Sequence, residues 1–171
     1  MIMMNTSRFL SFIVAGLASL TTASAQLAVS AETIHTMAGD SIQDGGILLV
    51  DGKITQVGPA AEVSIPEDYQ KLSAKVVIPG IVDAHATVGL SGILNYDHDQ
   101  EQLEESAPIQ PELRAIDAYN ARDPLVAWVR QFGVTTVNTG HAPGAVVSGQ
   151  AMIIKTHREN VSDAIRPFSM V

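Results

Sequence analysis

The stretch Val76 to Gly89 most constrains what this chain can become, because it joins two apolar runs through a breaker and ends in ionisable side chains. Val76 to Ile78 and Ile81 to Val82 flank Pro79-Gly80, and the second run delivers Asp83 and His85. Short β-branched runs bounded by Pro and Gly read as buried core strands. A histidine just past the C-terminal end of such a strand stands where parallel sheets assemble their chemistry.

Upstream, the signals are those of a small β domain over residues 26–79. Leu27 to Thr36 reads as a strand, and Ile47 to Val50 and Lys53 to Val57 flank Asp51-Gly52. Asp-Gly supplies the positive φ angles of a primed two-residue turn, so this pair reads as a hairpin. Ser64 to Pro66 reads as a loop and Asp68 to Leu72 as a short strand.

Downstream, residues 89–122 are polar and irregular. Asp97, Asp99, Glu101, Glu104, Glu105 and Glu112 carry much of the acidity, but the run lacks the sixth-position glycine and spaced terminal Glu of a calcium-binding EF-hand. A solvated loop or frayed helix is the expectation, with substrate contact as the functional counterpart of a long loop. Asp123 then stands at an N-cap with Pro124 at the first helical position. Leu125, Val126, Trp128, Val129 and Phe132 supply an apolar face, and Gly133 stops the helix. Val134 to Val137 follows as a second buried strand. Strand, loop, helix and strand make a βαβ crossover, which requires the two strands to be parallel. His141 lies beyond the second strand, Gly149 to Lys155 reads as a further strand, and no terminating element is read before Val171.

The formal charge is −8 and the sequence pI about 4.9, which speaks against nucleic acid as a partner. No cysteine is present, so any metal must rest on His and carboxylate ligands. Residues 1–25 read as a signal peptide: Arg8 is their single charge, Phe9 to Leu20 is apolar, and Ala23-Ser24-Ala25 offers small residues before Gln26. The apolar run is shorter than the roughly 20 residues of a spanning helix. The expectation is therefore a periplasmic or secreted protein without a membrane anchor. Asn160-Val161-Ser162 has the form of a glycosylation acceptor, a pattern too common by chance to carry a role.

The runs Asp44 to Pro59 and Val77 to His85 together resemble the N-terminal part of metal-dependent amidohydrolases, most nearly the imidazolonepropionase and dihydroorotase-like branch. Phe132 to Val137 resembles the family's second barrel strand, and Gly140 to Gln150 the loop after it in exported members. The resemblance implies a small composite β-sandwich over residues 26–79, followed over residues 80–171 by the first units of a TIM-type (β/α)8 barrel. A full barrel takes about 250 residues, and the roughly 90 after Ile78 suit two or three units.

In the family a His-x-His pair holds zinc or a similar divalent ion, whose bound water attacks a C–N bond. His85 fits the first position and is the expected metal ligand. Thr87 occupies the second, where a hydroxyl is a poorer zinc ligand than imidazole, so His141 stands as a candidate replacement and Asp83 as a holding group. His35, His98 and His157 read as surface residues. The resemblance implies hydrolysis of cyclic or non-peptide amides, or dipeptides, by metal-activated water. The partner is a small-molecule substrate, and homo-oligomerisation is left open. This chain alone is expected to be inactive. The alternative is a noncatalytic exported relative that keeps the sheet as a binding or structural scaffold.

Overall fold

The structure is a computed structural model that describes residues 26–94 and 96–170; the targeting segment read at 1–25 lies outside them. The chain divides into two compact units, one ending at Val77 and the other beginning at Ile78.

The first unit is built on a four-stranded sheet of the kind that forms a layer of a small β-sandwich, in the order β3-β2-β1-β4. Strand β1 spans Gln26–Ile34, β2 Ile42–Val50, β3 Lys53–Pro59 and β4 Gln70–Val77. The hairpin forms where Asp51-Gly52 places it. Both turn residues take positive φ, 52° and 73°, so the turn twists with its strands. β1 pairs antiparallel with β2 and parallel with β4. Burial falls on every third residue of β1 rather than in strict alternation: Ala28 is inside with Leu48 and Val63, and Ala31 and Ile34 with Ile47.

β4 is longer than the segment expected at 68–72, and it absorbs Val76 and Val77. Sheet periodicity is thus met, but not burial: Val76 is 56% exposed, so the reading of Val76 to Ile78 as a buried run is corrected. The same correction applies to β5, Ile81–Ala86, where Ile81 and Val82 are exposed. β5 is the outermost strand of its sheet, and an apolar sequence reports a liking for burial without supplying the layer that would bury it.

The second unit carries a sheet ordered β5-β6-β7-β8, with β6 Val134–Thr139, β7 Met152–Lys155 and β8 Ile165–Met170. β5 and β6 are parallel, as a crossover demands. From there the sheet departs from a succession of parallel strands, because β7 and β8 run antiparallel to their neighbours. β7 begins at Met152 rather than Gly149, and β8 forms at the other edge of the sheet, where no further element is read from the sequence.

The polar connection contains a 3-10 turn, Asp97–Asp99, and helix α1, Ala115–Ala118. It is not a free loop. Gln110 N donates to Val147 O at 2.9 Å, Ala115 N to Gln150 O at 2.9 Å and Ala142 N to Gln102 O at 2.8 Å, stitching it to the segment after β6.

Helix α2, Pro124–Gln131, has the expected punctuation. Asp123 Oδ1 accepts from Leu125 N at 2.6 Å, and Gly133 takes a φ of 86°. Its buried side is narrower than expected. Val126 is buried, with Leu125 and Val129 packed against the core, whereas Trp128 and Phe132 lie exposed with ring centroids 4.8 Å apart. Val126, Val137, Met152, Ile154 and Ala164 form the heart of this unit, and a short helix α3, Val161–Ala164, closes one side.

Candidate functional site

The site region begins with an irregularity at the end of β5. Asp83 faces Val137 and Ala86 faces Thr139, so β5 carries one residue more than β6 over this interval. Such a bulge leaves ladder groups unpaired and turns a side chain out of the regular alternation. Side chains satisfy what the ladder drops: Asn138 Nδ2 donates to Ala84 O at 3.1 Å, and Asp83 Oδ1 accepts from His85 N at 3.1 Å. Asp83 therefore has the holding role read for it, through the backbone of His85.

Thr87 is engaged elsewhere. Its hydroxyl lies 2.9 Å from Ser91 Oγ, and its carbonyl accepts from Leu90 N and Ser91 N at 2.9 and 3.0 Å. It starts the turn that leaves β5. Thr139, fully buried, donates from Oγ1 to Val88 O at 2.7 Å and ties that turn to β6.

His85 and His141 line the same cleft, of about 290 Å³, together with Pro143, Ser148 and Gly149. His85 is exposed at its mouth. His141 is half-buried, and its Nε2 is enclosed without a hydrogen-bond partner. Burial lowers the pKa of His141 below the ordinary imidazole value, which favours the neutral ring, the form that binds metals. Gly149 makes room for it. At φ 104°, a Cβ there would lie 2.9 Å from His141 Nε2 and 2.4 Å from Leu113 O.

Two imidazoles on one cleft suit a borderline divalent ion such as zinc. Among the described residues no group of three or more His, Cys, Asp or Glu side chains comes together, so the pair offers two of the three or four donors such an ion takes. Asn138 and Gly149 were not singled out from the sequence. The bulge that recruits Asn138 leaves no mark in residue type, and the contact that requires Gly149 joins segments distant in the chain. His35, His98 and His157 are exposed, with His98 stacked on Tyr96 at 5.6 Å between centroids.

No protein-family model matches the chain. The curated amidohydrolase tasK of Hapsidospora irregularis is 31% identical over 116 residues, 65% of this chain and 12% of that protein. An amidohydrolase from Thermotoga maritima MSB8 superposes with a TM-score of 0.75 at 25% identity, over 84% of this chain and 37% of that one. N-acetyl-D-glucosamine-6-phosphate deacetylase from Mycobacterium smegmatis aligns at 23% identity over 66% of this chain and 26% of that one, with a TM-score of 0.41, too low to bear on the site. The chain thus spans well under two thirds of the length of these relatives.

Proposed function

Because the chain belongs to the amidohydrolase superfamily, matching its N-terminal portion, we propose that it forms the first part of a hydrolase of C–N bonds in small molecules. The substrates envisaged are cyclic or non-peptide amides or dipeptides, as in the imidazolonepropionase and dihydroorotase-like branch. The observation that carries this reading is the shared cleft of His85 and His141 beyond the C-terminal ends of parallel β5 and β6, with an unpartnered Nε2 on His141. Parallel barrels place their chemistry at that end of their strands.

In this proposal His85 and His141 hold a divalent ion, most suitably zinc, which when bound supplies an acidified water for attack on the scissile bond. The chain's own residues do the rest. Asp83 fixes the backbone at His85, burial favours the neutral form of His141, and Gly149 leaves its Nε2 clear. Two donors fall short of a catalytic site, so the chain alone is proposed to turn nothing over. Export belongs to the same proposal, supported by the single charge of Arg8, the apolar run Phe9 to Leu20 and the small residues Ala23-Ser24-Ala25. Amino-terminal sequencing of exported protein should begin at Gln26.

Zinc titration followed by desalting and metal analysis tests the pair. Wild type should retain zinc, and His85→Ala and His141→Ala should each retain less. Equal retention in all three removes the pair as ligands. Turnover of a dipeptide or a hydantoin that a chelator abolishes would refute the inactivity of the chain alone. The bonding of Thr87 to Ser91 rather than into the cleft favours the second reading, a noncatalytic binding relative. That reading predicts no retained metal.

A further inference from the structure

The acidity of the whole chain conceals a concentration of positive charge. Arg122, Arg130, Lys155, Arg158 and Arg166 are half of its ten Lys and Arg residues, and all fall within the second unit, from just before α2 into β8. Arg122, Arg130 and Arg158 line one cleft of about 310 Å³, floored by Val126 and Ala127 of α2 and walled by Thr156 and Glu159.

Two of the guanidinium groups are anchored to the same turn. Arg130 Nη1 donates to Thr156 O at 3.0 Å and Arg122 Nε to Glu159 O at 3.2 Å. That turn carries Arg158. It is itself fixed to the start of β6, since Thr156 N donates to Thr135 O and Thr156 Oγ1 to Val134 O at 2.8 Å. The cleft therefore lies at the end of β6 opposite His141.

Two acids line the cleft against its three arginines and so offset its charge only in part. Asp123 lines the cleft but is buried and spends Oδ1 on capping α2. Glu159 lines it as well, yet the ion pair found among the described residues is Arg114 with Asp117, away from this cleft. The gathering of charge is felt by His157, whose pKa falls below the ordinary imidazole value through burial and then through Arg158, Arg166, Lys155 and Arg130. Like charges held together repel, and a bound anion relieves that repulsion. Planar guanidinium forks, held by one nitrogen and open at others, match the oxygens of phosphate in pairs.

We propose that the cleft between α2 and the Thr156 to Glu159 turn binds a phosphate-type dianion, free or carried by a small molecule, gripped by Arg122, Arg130 and Arg158. The site stands apart from the proposed hydrolytic cleft and does not depend on it.

Calorimetric titration with inorganic phosphate and with glycerol 3-phosphate, at ionic strength held constant with chloride, tests it. Saturable binding of either probe is expected, and the tighter of the two identifies the source. Arg158→Gln should weaken it at least tenfold, and so should Arg130→Gln. Arg158 keeps the test valid if loss of the Arg130 anchor unfolds the unit. Arg114→Gln, on an exposed pair remote from the cleft, should change nothing. Absence of saturable binding, or equal weakening by Arg114→Gln, overturns the proposal. So does binding of a polyglutamate peptide with neither phosphate probe bound, which would mark a protein-docking surface instead.

Discussion

Gly89→Ala should cost the second unit about 3 kcal/mol, from two separable sources. Gly89 has a φ of 83°, and its missing Cβ would fall 2.2 Å from Tyr119 Cε2 and 2.6 Å from Cδ2. Positive φ costs a residue with a Cβ about 1–2 kcal/mol. Forcing a methyl into an occupied core space costs about 1–3 kcal/mol. The ring cannot swing aside freely, because Tyr119 is 5% exposed and Asn120 N donates to Gly89 O at 2.8 Å, holding the two segments together. A domain of this size has roughly 5–10 kcal/mol in total, so the loss is a large share. Trp128, the chain's single tryptophan, sits on α2 and reports unfolding of this unit in a urea titration. In a Tyr119→Ala background the steric part should vanish, leaving the substitution at about 1–2 kcal/mol. A loss below about 1 kcal/mol in the wild-type background, or no coupling between the two positions, would refute the reasoning.

Asp123→Ala removes the cap that accepts from Leu125 N and should lower stability by about 1–2 kcal/mol, read by the same titration, with Asp123→Asn recovering most of it. Tyr119 Oη is enclosed without a hydrogen-bond partner, so Tyr119→Phe should hold or raise the melting temperature. Burial, and then the charge of Asp123, push the Tyr119 pKa from 10.0 up to about 12. The unfolded chain therefore releases this proton first. Its contribution is complete below pH 10 and fades as the pH rises through 12, a decline of on the order of 2 kcal/mol that Tyr119→Phe should abolish.

What could be read from the sequence was local. Asp51-Gly52 dictates its turn because few residues tolerate positive φ in succession, and Asp123, Pro124 and Gly133 delimit α2 because each meets a need of one helix end. The parallel pairing of β5 with β6 followed from the length of the connection. What could not be read depended on partners remote in sequence. Ile81, Val82, Trp128 and Phe132 are apolar but exposed, since patterning tells which residues favour cover and not whether cover is present. The antiparallel course of β7 and β8 escaped because short apolar runs carry no direction. His85 and His141 could each be picked out from position after a strand. Their meeting on one cleft, and the bulge that aims the first, belong to tertiary structure.

The pairing of β4 with β1 has a consequence for the order of events in folding. β2 reaches β1 and β3 across short connections, whereas the chain leaving β3 must pass β2 and β1 before β4 can lie parallel beside β1. Closing the longer loop requires more chain entropy before any contact forms. The β1 to β3 meander is thus expected to form early and β4 to join late. Substitutions in the Asp51-Gly52 turn should slow folding, while those along β4 should chiefly hasten unfolding.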